Sequence, residues 1–349
     1  MIIETALLKP VRDAGLPTPR FTTRKQRIGK KMRMVSKPNG AMRAVQWGLS
    51  DYLLERLQPA LESWLGPQAL EVSTAFWPGS SCARNAGQHV LNRFILTTDL
   101  KDAYASVPGE ALAPILAKLD PELHLREGEL LEEMRVEGLR EFLRRYCLTP
   151  QGGLCFGGPA SPHLFNLYLG WVLDGVLIQI MNEERIDVTR YADDITFGSR
   201  HHLSHAKRRD LLAAIRGSGM QINERKVCYR DMAREAVSIT GVRLQWQGPE
   251  RPARLSAERG LFDRLESLLR AYVAGRVVDD YEVAEIISGL WATVIALGGG
   301  TGVRWQRITS LFAKFKERRY TPLYESATTD EKKVVTLWNG RAVKVDPRP

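Results

Sequence analysis

Val188-Thr189-Arg190-Tyr191-Ala192-Asp193-Asp194-Ile195-Thr196-Phe197 sets two adjacent carboxylates between two β-rich apolar runs. The pattern reads as a hairpin with the acids at its tip. Crowding two like charges there gains the fold nothing. A divalent cation makes the arrangement favourable, because carboxylate oxygens are the ligands Mg²⁺ prefers. An isolated Asp-Asp pair otherwise reads as a polar turn, so its meaning depends on what the rest of the chain supplies. A third acid ends another apolar run well upstream, Phe94-Ile95-Leu96-Thr97-Thr98-Asp99. A strand-ending acid and an acidic hairpin can converge on one sheet, and carboxylates from adjacent strands are what a two-metal phosphoryl-transfer site requires.

The chain has 349 residues, with 50 Lys and Arg against 40 Asp and Glu, for a formal charge of +10. That length suits roughly two or three subdomains around a substantial core. The basic excess points to a polyanionic partner. It is concentrated near the two ends. Lys9, Arg12, Arg20, Arg24, Lys25, Arg27, Lys30, Lys31, Arg33, Lys37 and Arg43 stand against only Glu4 and Asp13 in the first fifty positions. Arg304, Arg307, Lys314, Lys316, Arg318 and Arg319 form a second basic run, and the two could wall a nucleic-acid groove. Cys82, Cys147, Cys155 and Cys228 show no C-x-x-C spacing and no disulfide framework, which fits reduced cytosolic thiols. No apolar run reads as a membrane span, and Met1-Ile2-Ile3-Glu4 does not begin a signal peptide. A cytoplasmic protein with no membrane partner is expected.

Along the chain, residues 32–45 read as a hairpin turning at Pro38-Asn39-Gly40. Residues 50–65 read as a helix with Leu53, Leu54, Leu57, Leu61, Trp64 and Leu65 on one stripe. A short helix over 85–92 leads into the strand that delivers Asp99. A mostly helical stretch follows over 109–145. A Gly-rich loop from Gln151 to Pro162 then opens an apolar helix over 164–180. Beyond the acidic hairpin come a helix around 207–216, alternating strands and turns over 219–246, and three helices over 256–316. Those helices break near Gly275 and at Gly298-Gly299-Gly300. The tail from residue 321 reads as a small appendage, and no internal repeat is visible.

At this point the chain resembles the reverse transcriptases. Asp99-Leu100-Lys101-Asp102-Ala103-Tyr104-Ala105-Ser106-Val107 looks like their motif A and Tyr191-Ala192-Asp193-Asp194 like motif C. Leu154-Cys155-Phe156-Gly157-Gly158-Pro159-Ala160-Ser161-Pro162 with Asn166 resembles motif B, and Gly219 to Lys226 resembles motif D. Ser238-Ile239-Thr240-Gly241 falls where the primer grip begins, and Val35 to Arg43 resembles the fingers hairpin. One motif would be weak; this many in order, over roughly residues 28–320, are specific. The resemblance implies that Asp99, Asp193 and Asp194 bind Mg²⁺, or Mn²⁺ in its place. It implies that Tyr104 is the steric gate against a ribose 2′-hydroxyl, with Leu100 beside it and Gly157 and Gly158 near the nascent pair. Lys37 and Arg43 would hold the triphosphate, and Lys226 would give a proton to pyrophosphate. Motif B departs from the common form, because Phe156 stands where Gln precedes Gly. Gln151 lies just upstream, and either residue could face the nucleotide.

Asn85-Ala86-Gly87-Gln88-His89 matches the N-A-x-x-H element of retron reverse transcriptases, and Thr240-Gly241 fits their V-T-G element with Ile239 for Val. By that resemblance Asn85, His89, Thr240 and Gly241 would contact RNA, together with Arg304, Arg307 and Lys314. A capped helix with a satisfied histidine is the plainer account of Asn85 and His89. His201-His202-x-x-His205 lacks a Cys or acidic partner at ligand spacing and reads as a solvated loop rather than a zinc site. Gly298 to Gly302 lacks the Lys of a phosphate loop. Trp246, Trp291 and Trp305 could stack on bases, although Trp291 sits in an apolar helix.

The expected fold is α+β, a right-hand polymerase. Residues 1–98 would form an N-terminal extension and fingers, and 99–245 a palm with fingers helices inserted at about 109–150. Residues 246–320 would form a helical thumb, and 321–349 a tail. The expected activity is RNA-directed DNA synthesis from dNTPs on a structured non-coding RNA, which serves as template and in some settings primer. An effector or toxin protein of an anti-phage retron system would be a further partner. The oligomeric state is left open. Two rivals stand beside this: a defence relative with non-templated or protein-primed synthesis, and a non-catalytic RNA-binding scaffold.

Overall fold

The computed structural model describes residues 1–28, 31–129, 131–276, 280–300, 302–320, 333–337 and 339–345. A π-helical turn, Glu4–Leu8, runs into α1 (Lys9–Asp13), and an antiparallel hairpin of β1 (Phe21–Ile28) and β2 (Lys31–Pro38) follows. Pro38-Asn39-Gly40 does not turn a hairpin, contrary to the sequence expectation. It ends β2 and starts α2 (Gly40–Leu65), where the Asn39 side chain accepts a hydrogen bond from the Met42 amide at 2.9 Å. Asn serves helix N-caps as well as turns. The periodic burial of Met42, Val45, Leu49, Leu53, Leu57 and Leu61 decides for the helix. Each such side chain stabilises the core by ~1.5–3 kcal/mol on burial. Trp64 departs from the expected stripe: it is 43% exposed and packs on Trp171 at 4.4 Å between ring centroids.

After α3 (Ala69–Val72) and α4 (Cys82–Gly87), strand β3 (Phe94–Asp99) enters the main sheet. Helices α5 (Gly109–Leu119) and α6 (Glu132–Tyr146) pack together. They precede α7 (Ser161–Leu169), a π-helical turn Gly170–Asp174, and α8 (Gly175–Glu184). β4 (Asp187–Tyr191) and β5 (Asp194–Ser199) form the acidic hairpin, and α9 (His205–Gly217) leads to β6 (Cys228–Asp231). The sheet order is β4-β5-β3-β6, antiparallel throughout. One large core joins α2, the sheet and α5 to α8.

A second antiparallel sheet, β7 (Val237–Ile239), β8 (Val242–Gln245) and β9 (Arg254–Ala257), leads into α10 (Arg259–Val273), α11 (Asp280–Ala296) and α12 (Gly302–Tyr320). These three helices have their own core, in which Trp291 stacks on Phe312 at 3.8 Å and on Trp305 at 5.4 Å. Both indoles are therefore engaged within the helices, and Trp246 packs on the second sheet. A terminal hairpin, β10 (Lys333–Thr336) and β11 (Ala342–Val345), returns to α2, where Arg341 and Asn339 bind Asp51. Residues 321–332 and Trp338 of the tail lie outside the described residues.

The continuous helical segment Ser161–Glu184 corrects one sequence expectation. It is long and apolar enough, by length and composition, to cross a membrane. It is here the central core helix, and its buried Asn166 and Asp174 both bond the Arg190 guanidinium. The expected helix over 85–92 is also shorter, ending at Gly87. Beyond it His89 and Asn92 press against the backbone of β5. A Cβ at Gly198 would stand 2.5 Å from His89 Nδ1 and 2.3 Å from Asn92 Nδ2. His89 is fully buried, its Nε2 lies 2.8 Å from Thr189 Oγ1, and burial pushes its pKa down to about 3, so the ring is neutral. Gly198→Ala is expected to destabilise by about 1–3 kcal/mol through overpacking. Urea unfolding should show a lowered midpoint at unchanged slope; an unmoved midpoint would contradict this packing.

Candidate active site

Strand pairing brings the three acids together. Asp99, last residue of β3, lies opposite Asp194, first residue of β5, and Tyr191 of β4 lies opposite Asp194 on the other side. The two-residue turn between β4 and β5 puts Ala192 at φ 56°, a left-handed conformation that side chains other than Gly rarely adopt. The turn is tied from both sides. The Leu100 amide donates to the Asp193 carbonyl at 2.9 Å, and the Arg190 guanidinium donates to the Ala192 carbonyl at 3.1 Å. Leu100 itself is 1% exposed, so its side chain is a core residue and not a nucleotide contact.

Asp99 is buried, with one oxygen ion-paired to Lys226 and the other, Oδ1, without a hydrogen-bond partner. Asp193 has its carboxyl pushed up, first by burial and then by the Asp99 charge, against a backbone hydrogen bond and the cations Lys226 and Arg33. Asp194 still touches solvent, but the groove strips enough water from it to raise its carboxyl to about 6, with the Asp193 charge adding. Burial alone would pull the Lys226 ammonium down. Its bond to Asp99 and the three aspartate charges outweigh that and raise it. Among the described residues no three acidic, His or Cys side chains form a ready metal cage. The donor set nevertheless suits a divalent cation. Crowded carboxylates, one with an orphaned buried oxygen, are costly alone and favourable around positive charge.

Beside the acids, Tyr104 is half-buried between Phe165 at 5.2 Å and Phe156 at 6.0 Å. Its phenol is pushed well up by burial and by the Asp193 charge. Phe156, not Gln151, is the neighbour of Tyr104; Gln151 sits exposed in the preceding turn. The Phe156 carbonyl accepts from the Ser36 amide at 2.8 Å, and Arg33 lies over its ring at 5.2 Å, which fastens the β1–β2 hairpin to the loop. Gly157 is exposed with φ 105°, and a Cβ there would stand 3.1 Å from the Ser36 carbonyl oxygen. Gly158 is buried against Ser161 and Gln46. Lys37 is exposed on the same face of β2 as Arg33, whereas Arg43 lies on α2 with its guanidinium over Trp47 at 5.8 Å. Sequence reading missed Arg33. Its signal was the period-two spacing to Lys37 on a strand.

The residues expected to touch RNA divide. Asn85 and His89 are 1% and 0% exposed and bonded within the protein, so their side chains are not on an RNA-facing surface. Thr240 and Gly241 form the turn between β7 and β8, partly exposed. Arg304 binds Asp263 and Glu266, and Arg307 binds Glu266 at 2.8 Å, so both guanidiniums are ion-paired to α10, although Arg307 stays exposed. Lys314 is exposed. His202 meets Phe94 and Tyr229 edge-on, and the three loop histidines form no metal cluster among the described residues.

A family model described as reverse transcriptase (RNA-dependent DNA polymerase) matches residues 23–244. Retron Ec83 reverse transcriptase of Escherichia coli is 25% identical over 216 residues, 61% of this chain and 64% of that one. Retron Ec86 reverse transcriptase of the same organism is 27% identical over 227 residues, 64% and 61% of the two chains. Retron Mx65 reverse transcriptase of Myxococcus xanthus is 28% identical over 228 residues, 60% and 48%. The chain thus spans less than two thirds of the length of each of these relatives. Among solved structures, a telomerase from Candida albicans in complex with a telomeric RNA fragment is similar at TM-score 0.51 and 10% identity, covering 91% of this chain and 59% of that one. Apo telomerase from Candida tropicalis is similar at TM-score 0.51 and 11% identity, covering 86% and 58%. These likenesses are of fold, and with the mixed helices and antiparallel sheets they identify a right-hand polymerase of α+β class. On the family match across residues 23–244, and with retron enzymes among the proteins it is similar to, the chain belongs to the reverse transcriptase family.

Proposed function

We propose that this chain is an RNA-directed DNA polymerase that copies a cognate structured RNA by two-metal phosphoryl transfer. The observation that carries the reading is the register setting Asp99 opposite Asp194, with Asp193 in the turn between them and Asp99 Oδ1 left without a partner. Asp99, Asp193 and Asp194 would hold Mg²⁺ or Mn²⁺, which supplies charge stabilisation and activates the attacking hydroxyl. Arg33 and Lys37 on one strand face, with Arg43 at the start of α2, would supply cations to the triphosphate oxygens in this reading. Lys226, poised on Asp99, is the proton donor to the leaving pyrophosphate in this reading.

The retron relatives extend the proposal to a non-coding RNA as template and primer, and to an effector protein in an anti-phage system. A primer-extension assay with the copurified RNA tests it. DNA complementary to that RNA and dependent on it is expected. Extension indifferent to added RNA would favour the non-templated or protein-primed relative, and no synthesis at all would leave a binding scaffold.

Tyr104 supplies a sharper test. Its ring is locked between Phe165 and Phe156, so it can exclude a 2′-hydroxyl by shape. Tyr104→Val is expected to raise ribonucleotide incorporation relative to deoxynucleotide by about tenfold to a hundredfold, the range a shape-based pocket discriminates. The ratio of kcat/KM for matched rNTP and dNTP measures it, and an unchanged ratio would remove Tyr104 as the gate.

A further inference from the structure

Thr240 and Gly241, the residues joining β7 to β8, have φ 49° and 80°. Two positive φ values are what a tight two-residue hairpin turn demands. Gly meets that demand freely; a β-branched Thr rarely does. The Thr240 hydroxyl accepts a hydrogen bond from Asn85 Nδ2 at 3.2 Å, and Asn85 Oδ1 accepts from the Thr74 hydroxyl at 2.7 Å. The Thr74 amide in turn donates to the Arg190 carbonyl at 2.9 Å. Asn85 is therefore a buried link between this turn and the strand that carries the acidic hairpin. The turn also lines a cavity of about 220 Å³ whose other walls include Asp99, Asp194, Lys226 and Ser238. Hydroxyls on one wall and carboxylates on the other suit the sugar of a nucleic-acid strand end.

We propose that Asn85 is a positioning residue: it holds Thr240 in its left-handed conformation, and the turn so held seats the strand end that is extended at Asp99 and Asp194. The N-A-x-x-H element then acts through the protein interior and not by touching RNA. The inference rests on the polymerase reading, and its test separates the two.

Asn85→Ala leaves Thr240 without its donor. The KM for an annealed primer end is expected to rise about tenfold, the worth of one such hydrogen bond, with kcat at saturating primer and the Kd for RNA unchanged. Thr240→Ser, which keeps the hydroxyl, should behave as the parent. Thr240→Gly adopts the positive φ without a hold, so in that background Asn85→Ala should leave the primer KM unmoved. Hydrogen exchange at the amides of 239–242, read without substrate, should quicken in Asn85→Ala. If the parent protein makes no DNA, the polymerase reading fails while this exchange still tests the link. Unchanged exchange and unchanged primer KM in Asn85→Ala, or a loss of RNA affinity in place of the KM rise, would overturn the proposal.

Discussion

Asp193→Asn is expected to lower the primer-extension rate by about a thousandfold or more while leaving the protein as stable as before, or more stable. The activity side follows from the proposed metal chemistry. Charge stabilisation by a bound cation contributes several kcal/mol to the transition state, and each ~1.4 kcal/mol is a factor of ten in rate. An amide keeps the shape but supplies no negative charge. The stability side follows from crowding. Asp193 adjoins Asp194 in the chain, and its half-buried carboxyl feels the Asp99 charge. Removing one of three like charges relieves repulsion that the fold otherwise bears. A residue whose loss damages activity and spares stability serves the reaction and not the architecture. Steady-state extension rates and thermal unfolding of the same preparation measure both halves. Parental extension by the variant would end the catalytic reading of the hairpin.

Part of this geometry was legible in the sequence because short apolar runs ending in acids read as strands that can bring those acids to one sheet. Phe94–Asp99 and Val188–Phe197 are such runs, and in the sheet Asp99 lies opposite Asp194. What the sequence hid depended on partners far along the chain. Pro38-Asn39-Gly40 carries the same local signal for a turn and for a helix start, and the burial of α2 chose between them. Arg304 and Arg307 read as free cations until Glu266, on a different helix, was found between them. Asn85 and His89 matched a motif associated with RNA, but no pattern could reveal that Thr240 and Thr189 would claim their polar atoms. The apolar segment from Ser161 to Glu184 read as a shorter helix. It was read over 164–180, and the π-helical turn within it, which seats Asp174 beside Arg190, left no local signal.

Arg190→Met is expected to destabilise the fold by about 3–5 kcal/mol, the cost of removing one partner from a buried ion pair. Arg190 is fully buried, and every N–H of its guanidinium is used. Two bonds go to the Asp174 carboxylate at 2.6 and 2.7 Å, and one each to Asn166, Ser73 and the Ala192 carbonyl. Lys has neither the fork nor the number of donors, so Arg190→Lys should recover little. The damage has two components that a second substitution separates. Met at 190 strands the Asp174 carboxylate in the core, and Arg190→Met with Asp174→Leu removes that stranded charge, so most of the stability should return. Nothing in the double variant replaces the bond to the Ala192 carbonyl, and the left-handed turn that presents Asp193 loses its inner tether. Extension is therefore expected to stay at least about tenfold down, the worth of one charge-assisted bond, in a protein whose unfolding midpoint is nearly restored. Urea unfolding and extension rates measured on the two variants decide it. If activity returns in step with stability, Arg190 only supports the core. If it does not, the same guanidinium that anchors α7 and the π-helical turn also aims the carboxylates.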